Sequence, residues 1–166
     1  MKSEGREVSG RMDNLRAAVL RPQLRDLPKQ AARWNERYAV LAEGLANTTG
    51  LRLPNRPEKE TFVASSFQFL LLDWPKPAVA DVLARCKARG VELKWFGGAE
   101  PVGFTSRYDS WRYAPSTPMP DSDRVLAGII DLRLPLTFST DDCALIARII
   151  KEVVETVYQG LDSAAG

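Results

Sequence analysis

Residues 9–24 read Ser-Gly-Arg-Met-Asp-Asn-Leu-Arg-Ala-Ala-Val-Leu-Arg-Pro-Gln-Leu. Read as a helix, this stretch and its continuation have one apolar face, made by Met12, Leu15, Val19, Leu20, Leu24 and Leu27. The opposite face is polar and carries Asn14, Arg21 and Arg25. The spacing therefore predicts an amphipathic helix.

Two polar residues, Arg16 and Gln23, interrupt the apolar face seven positions apart. On one interpretation their apolar stems cover the face while their polar ends stay in water. On the other, this helix forms a polar interface with another domain or subunit. The spacing alone leaves both interpretations open.

Composition indicates an ordinary soluble domain with a real core. The chain has 166 residues, of which 45% are hydrophobic and 27% charged, and its net charge is +2. This charge is too small to predict a nucleic-acid or membrane partner. The first ten residues lack the apolar segment of a signal peptide, so we expect a cytoplasmic protein. Without histidine, Ser-His and Cys-His nucleophile pairs and His-based zinc sites are excluded.

The two cysteines, Cys86 and Cys143, fall within apolar helical patterns. We interpret them as small buried hydrophobic residues and predict neither a disulfide nor a metal site.

Two helices are predicted first: one over residues 11–26, kinked or divided by Pro22, and a second that begins at Pro28. A possible short strand follows at 51–53. Residues 61–72 predict a long strand, apolar on both faces and therefore central in its sheet.

A third helix begins near Pro75, carries Val79, Val82, Leu83 and Cys86 inward, and ends at Gly90. Further strands are predicted at 91–96 and 129–134, with a short helix at 121–127. Ser139 or Thr140 begins a last helix, with Leu145, Ile146, Ile149, Ile150, Val153 and Val157 on its buried side. The order predicts an α+β fold: a small, mainly antiparallel three-stranded sheet with helices packed on it, preceded by two long helices.

The opening run Gly-Arg-Met-Asp-Asn-Leu-Arg-Ala-Ala, then Gln23-Leu24, Arg33 and Tyr38, resembles the DegT/DnrJ/StrS sugar aminotransferases. These are pyridoxal-phosphate (PLP) enzymes of the aspartate-aminotransferase fold. The resemblance covers only the family's C-terminal part, to about residue 157. It implies a polar lead (1–10), interface helices (11–50), a small C-terminal domain (51–160) and a tail (161–166).

The resemblance also implies partners: a large PLP-binding domain, a second subunit of a homodimer, an amino donor and a keto-sugar acceptor. The family binds PLP through a Schiff-base lysine of the large domain. None of the chain's lysines has such a context: Lys2, Lys29, Lys59, Lys76, Lys87, Lys94 and Lys151. We therefore expect a C-terminal fragment, with no catalytic residue of its own, that is inactive alone.

The alternative hypothesis is a non-catalytic binding or assembly module derived from the family. A third, single-stranded nucleic-acid binding, would use an Arg- and aromatic-rich loop, but the small net charge argues against it.

Ser9 is the predicted cofactor contact. In many family members an asparagine at this position reaches the PLP phosphate of the neighbouring subunit. A serine hydroxyl and the N–H groups of a helix start can also bind phosphate. The alternative is a plain helix cap or loop residue.

The segment 97–120 has no regular pattern yet is rich in aromatic residues, which is typical of a functional loop. The resemblance places it beside the active site, although the family's Pro-Leu-His element is absent. Arg107 and Arg112 suit a carboxylate, a phosphate or a nucleotide-sugar diphosphate, and Tyr108 or Trp111 could stack on a ring. Alternatively, the aromatic residues simply cover the sheet. Lys94, on the strand that enters the loop, is interpreted as solvent-facing rather than as a ligand contact.

Overall fold

The structure is a computed structural model, which describes residues 12–60, 62–98 and 117–165. Their elements are, in order, α1 (Asn14–Leu45), β1 (Ser66–Leu70), α2 (Lys76–Ala88), β2 (Lys94–Trp95), α3 (Pro120–Gly128), β3 (Ile129–Arg133) and α4 (Thr140–Ala165). The three strands form an antiparallel sheet in the order β1-β3-β2. The predicted α+β class and three-stranded sheet are confirmed.

The first two predicted helices are one. Helix α1 continues through both Pro22 and Pro28, so the predicted break was wrong. A proline's fixed φ is itself helical, and its cost is one lost hydrogen bond and a clash with the preceding turn. The neighbouring turns keep their own hydrogen bonds, and Asp13 caps the start by accepting from the Arg16 N–H at 2.7 Å.

Strand β1 is shorter than the predicted 61–72 and lies at the sheet edge rather than at its centre. The preceding residues are held by helix α1 instead of by a neighbouring strand. The Asn35 amide donates to the Phe62 carbonyl at 3.0 Å, and its oxygen accepts from the Ala64 N–H at 3.1 Å. The possible strand at 51–53 is reduced to one bridge between Arg52 and Leu70.

The central strand is β3, where the predicted alternation is confirmed. Ile130, Leu132 and Leu134 are buried in the core, whereas Asp131 and Arg133 point to the other face of the sheet. Strand β2 comprises only Lys94–Trp95, against the predicted 91–96.

Helix α2 buries Val79, Val82 and Cys86, and it ends as predicted at Gly90. Gly90 has a φ of 85° and donates to the Lys87 carbonyl, and the Val91 N–H donates to the Cys86 carbonyl at 2.9 Å. These two bonds satisfy carbonyls that the helix end would otherwise leave unpaired.

Helix α4 begins after Ser139, whose hydroxyl accepts from the Asp142 N–H at 3.0 Å. Its buried side differs from the prediction at Leu145, which is exposed, and at Ala147, which is buried. Helix α1 covers Ala147 and approaches so closely that a Cβ on Gly44 would lie 2.7 Å from the Ala147 Cβ.

Candidate functional site

The residues predicted to touch a ligand lie outside the described residues. Ser9 precedes residue 12, and Arg107, Tyr108 and Arg112 fall within 99–116. Their roles therefore stay predictions. The structure does describe the two ends of the 97–120 segment, at residues 97–98 and 117–119.

The start of that segment is built into a corner of the fold between β2 and the end of α3. The Trp95 indole N–H donates to the Ala127 carbonyl of α3 at 2.8 Å. Gly97 packs so tightly here that a Cβ would lie 2.6 Å from the Trp95 Nε1 and 2.7 Å from the Ala127 Cα. The point at which the chain leaves β2 is therefore fixed against the C-terminal end of α3.

Helix α3 is tied to the turn after β1 by an ion pair. The Arg124 guanidinium donates two hydrogen bonds to the Asp73 carboxylate, at 2.7 and 2.6 Å. These bonds lower the pKa of Asp73 below its ordinary value. Asp73 has a φ of 63°, in the left-handed region that aspartate tolerates better than most residues.

A polar row crosses the sheet on the face opposite the core. In register, Gln68 of β1 lies beside Asp131 of β3, which lies beside Lys94 of β2. The Gln68 amide nitrogen donates to the Asp131 Oδ1 and to the Ser66 Oγ, each at 2.6 Å. All of these side chains are half-buried. We refer to Gln68, Asp131 and Lys94 as the polar row; its donors and acceptors suit a hydroxyl- or carbonyl-bearing ligand.

The C-terminal half of α1 is clamped to the turn between β3 and α4. Three side chains on successive turns donate to backbone carbonyls: Trp34 to Leu134 at 2.9 Å, Arg33 to Leu136 at 3.3 Å, and Arg37 to Phe138 at 2.6 Å. Arg37 is only 8% exposed and also donates to the Arg33 carbonyl at 2.8 Å. The sequence analysis missed Arg37; its signal is its position on the buried face of the helix.

The N-terminal half of α1 makes no such contacts with the other described residues. All residues from 12 to 29 are exposed, including Leu15 at 75% and Leu24 at 66%. We call residues 12–29 the α1 arm. Its predicted apolar face thus lies open in the described part of the chain.

Both cysteines are free and buried, as predicted. Burial raises the pKa of the Cys86 thiol to about 11, and it also raises the pKa of Cys143. A thiol so protonated is a poor nucleophile.

Within the described ranges, acidic, cysteine and histidine side chains form no cluster of three or more that could hold a metal ion. In the same residues, no helix is long and apolar enough to cross a membrane.

A hollow of about 410 Å³ lies between α2 and α4, where Arg85 and Arg89 line it. Both are paired, Arg85 with Asp81 at 2.9 Å and Arg89 with Glu152 at 2.8 Å. The hollow therefore offers an anion no uncompensated positive charge.

The model of the DegT/DnrJ/EryC1/StrS aminotransferase family matches residues 2–153, which is most of the chain. The chain belongs to this family. The predicted resemblance is therefore confirmed, and with it the relation to PLP-dependent enzymes of fold type I. No match is found among curated protein sequences.

Solved aminotransferases share the fold at low sequence identity. The chain is 18% identical to the aminotransferase TlmJ from Streptoalloteichus hindustanus, with a TM-score of 0.72 over 89% of this chain and 38% of that one. The chain is 18% identical to 3-amino-5-hydroxybenzoic acid synthase, with a TM-score of 0.69 over 94% of this chain and 43% of that one. It is 17% identical to DesI, solved in the presence of its TDP-sugar product, with a TM-score of 0.68 over 93% of this chain and 39% of that one. The chain thus spans about two-fifths of these relatives.

The residues of this chain that the structure describes do not fit the covalent attachment of PLP. Its Schiff-base lysine must be desolvated or otherwise activated. Among the described lysines none is buried, and the two that are half-buried are Lys94, in the polar row, and Lys151, which lies 3.9 Å from Glu155. The described part of the chain therefore supplies no lysine site for the cofactor.

Proposed function

We propose that this chain forms the small C-terminal domain of a PLP-dependent aminotransferase that transfers an amino group from an amino acid to a keto-sugar. The family match over residues 2–153 carries the proposal. The share of the solved relatives that the chain spans, 38–43%, is consistent with one domain of a larger enzyme. A large domain would then supply the lysine and the cofactor, and the whole enzyme would be a homodimer.

In this enzyme the small domain binds and orients the substrate. We assign the contacts with an anionic group of the acceptor to Arg107 and Arg112, and a ring contact to Tyr108. Ser9 would bind the cofactor phosphate in the neighbouring subunit. The corner at Trp95 and Ala127 supports this assignment, because it fixes the start of the 97–120 segment.

The polar row supports a hydroxylated acceptor. The Gln68 amide and the Asp131 carboxylate are half-buried on the sheet face opposite the core residues Phe67, Phe69 and Ile130. Such groups lose little by exchanging water for sugar hydroxyls, whereas they would disfavour an apolar acceptor. The related 3-amino-5-hydroxybenzoic acid synthase, named for an aromatic amine, makes an aromatic oxo compound the competing substrate class.

The test is a chimera in which this chain replaces the corresponding domain of DesI. We expect the chimera to bind PLP, to convert the cofactor when an amino acid such as L-glutamate is added, and to regain the starting absorbance with a TDP-keto-sugar. DesI cut and rejoined at the same junction is the matched control, because it reports any damage from the junction itself.

If the control is active and the chimera takes an amino group but passes it to no keto-sugar, the proposed substrate class is contradicted. A folded chimera that binds PLP but never reacts with the amino acid would contradict the aminotransferase role and favour the assembly module. Arg107→Ala and Arg112→Ala in the active chimera should raise KM for the sugar about tenfold or more, as the loss of a charge-assisted hydrogen bond predicts.

A further inference from the structure

The outer edge of β1, on the side away from β3, is bonded at its two ends and open between them. At one end the Arg52 N–H donates to the Leu70 carbonyl at 2.9 Å, and the Leu70 N–H donates back to the Arg52 carbonyl at 2.8 Å. At the other end the Asn35 side chain bonds to the Phe62 carbonyl and to the Ala64 N–H. The edge is therefore held by a short segment of chain and by one amide side chain.

Ser66 and Gln68 lie between these two ends, and their backbone groups face the same edge. The direction of backbone bonding alternates along a strand. The Leu71 N–H donates to the Gly128 carbonyl on the β3 side at 2.9 Å, whereas its neighbour Leu70 bonds on the outer side. By this alternation Ser66 and Gln68 also point their N–H and C=O groups outward, where the other described residues give them no hydrogen bond.

Pro54 explains why the pairing that starts at Arg52 goes no further. A continued antiparallel ladder would bring residue 54 opposite Gln68, the next position at which two facing residues exchange hydrogen bonds. Proline has no N–H and cannot donate to the Gln68 carbonyl. The strand predicted at 51–53 is therefore limited to a single bridge, and the chain leaves the edge of the sheet.

The chain after Pro54 is attached again at Arg56. The Arg56 guanidinium carbon lies 4.0 Å from the centroid of the Phe62 ring and 5.2 Å from that of Tyr38. Its Nε–H donates to the Tyr38 hydroxyl at 3.2 Å, and its Nη1 lies 3.3 Å from the Glu60 carboxylate. Aromatic rings attract a guanidinium placed over them. Residues 53–60, which we call the strap, are thus anchored beside both ends of the open edge.

We propose that the strap covers the outer edge of β1 and prevents a further strand from pairing with it. Pro54 blocks pairing by the strap itself, and Arg56 is the latch that holds the strap in place. Leu53, Pro54, Ser66 and Gln68 are all half-buried, as this cover requires. An uncovered edge accepts an extended segment of another chain, so release of the latch exposes a site for a second copy of this domain. The strap is a property of the domain and does not depend on the proposed reaction.

Amide hydrogen exchange, measured residue by residue by NMR, tests the cover. Arg56→Ala removes the latch, and we expect the Ser66 and Gln68 amides to exchange about fivefold faster or more. Phe67 and Phe69 are the internal reference, because they pair with β3, and their exchange should change by less than about twofold. Unchanged exchange at Ser66 and Gln68, or equal acceleration at Phe67 and Phe69, would overturn the proposal.

Lys59→Ala is the matched control, because Lys59 is an exposed residue of the same strap. It should leave the exchange of all four amides within about twofold of the wild type. Circular dichroism checks that the fold of each variant is intact.

Pro54→Val tests the block directly, since valine restores the missing N–H. We expect the new amide to donate to the Gln68 carbonyl and to exchange about tenfold more slowly than in an unstructured peptide. An unprotected amide at position 54 would show that another feature ends the ladder, and it would overturn the role of Pro54.

Sedimentation measures the consequence of an open edge. We expect Arg56→Ala to associate about tenfold more strongly than the wild type, with added intermolecular β-sheet absorption in the infrared. Lys59→Ala should sediment like the wild type. If Arg56→Ala frees the Ser66 and Gln68 amides but associates no more than the wild type, the edge stays unpaired without the strap and the proposal is overturned.

Discussion

Arg37, which the sequence did not single out, makes a contact that joins two parts of the fold. Arg37 is an arginine on the buried face of α1, and its Nε–H donates to the Phe138 carbonyl at 2.6 Å just before α4 begins. Within the described residues, the exposed Glu36 is the only carboxylate within salt-bridge distance, at 3.6 Å. The charge of Arg37 is therefore compensated mainly by backbone carbonyl dipoles, and removing Arg37 takes from the Phe138 carbonyl its side-chain donor.

We predict that Arg37→Leu lowers the free energy of unfolding by about 1–3 kcal/mol, the cost of leaving buried polar groups unpaired. Urea unfolding followed by circular dichroism measures the change. Arg21→Leu, in the exposed arm, is the matched control and should change it by less than about 0.5 kcal/mol. Equal effects of the two substitutions would show that the Phe138 contact contributes nothing.

A second prediction concerns pH and the ion pair of Asp73 with Arg124. The hydrogen bonds from Arg124 lower the pKa of Asp73 in the folded state. The pair therefore stabilises the fold above the pKa of the unfolded chain, and this stabilisation is lost as the pH falls through the lower folded-state pKa, below about pH 4.

A double-mutant cycle with Asp73→Asn and Arg124→Gln measures the pair alone. Asparagine tolerates the left-handed backbone of residue 73, so the substitution removes the charge without straining the turn. The coupling free energy should be present at pH 7 and smaller at about pH 3, where Asp73 begins to take up a proton. A coupling that is the same at both values would contradict the prediction.

At the scale of elements, periodicity and end signals identified most of the fold. Ser139 was one of two predicted starts for the last helix, and Gly90 was the predicted end of α2; both are confirmed. Such signals succeed because the residues that end a helix bond to its own backbone. Where the outcome depended on another element, the prediction was wrong: Asn35 of α1 holds residues 62 and 64 outside the sheet.

The cap of α4 gives a prediction at this scale. The Ser139 hydroxyl accepts from the Asp142 N–H, and the Asp142 carboxylate accepts from the Ser139 N–H at 2.8 Å. Ser139→Ala should therefore lower the free energy of unfolding by about 1 kcal/mol. Thermal or urea unfolding detects this change, with Thr137→Ala in the preceding turn as the control. If Ser139→Ala and Thr137→Ala unfold alike, water replaces the cap without loss.

Helix α1 shows why a continuous helix could not be foreseen from its residues. Pro22 and Pro28 are the strongest local signals against helix in the sequence, and both lie inside it. The C-terminal half is fixed by bonds to carbonyls about 100 residues away, such as that of Leu134. No local pattern contains this information, whereas the apolar face of the arm was read correctly from spacing alone.

At the scale of the whole molecule, the described residues form a closed core but supply no lysine site for PLP. The core is closed around residues such as Phe67, Phe69 and Ile130, all fully buried. The family could be identified from one short stretch of sequence that contains Arg11 and Met12, because that stretch has an unusual order of residue types. The site residues could not be tested in the same way, because Ser9 and the 99–116 segment lie outside the described residues.

The lysines give the prediction at this scale. PLP added to the chain, followed by borohydride, should leave no lysine labelled in a one-to-one ratio, because no described lysine is buried. Mass spectrometry of the digest measures the labelling at each site, and the chimera with the DesI large domain serves as the positive control. One lysine of this chain that takes up pyridoxyl stoichiometrically would show that the chain carries its own cofactor site.

The unbroken helix α1 also makes the molecule a lever. Its 32 residues extend over roughly 48 Å at 1.5 Å per residue, with the clamp at Trp34 and Arg37 as the fulcrum. Because the clamp holds one half and nothing in the described residues holds the other, a partner that tilts the arm turns the whole sheet with it. A rotation of about 5° at the clamp displaces the arm's end, about 30 Å away, by roughly 3 Å. Binding of a partner to the first turns of the helix is therefore sufficient to reorient the opposite end of the domain.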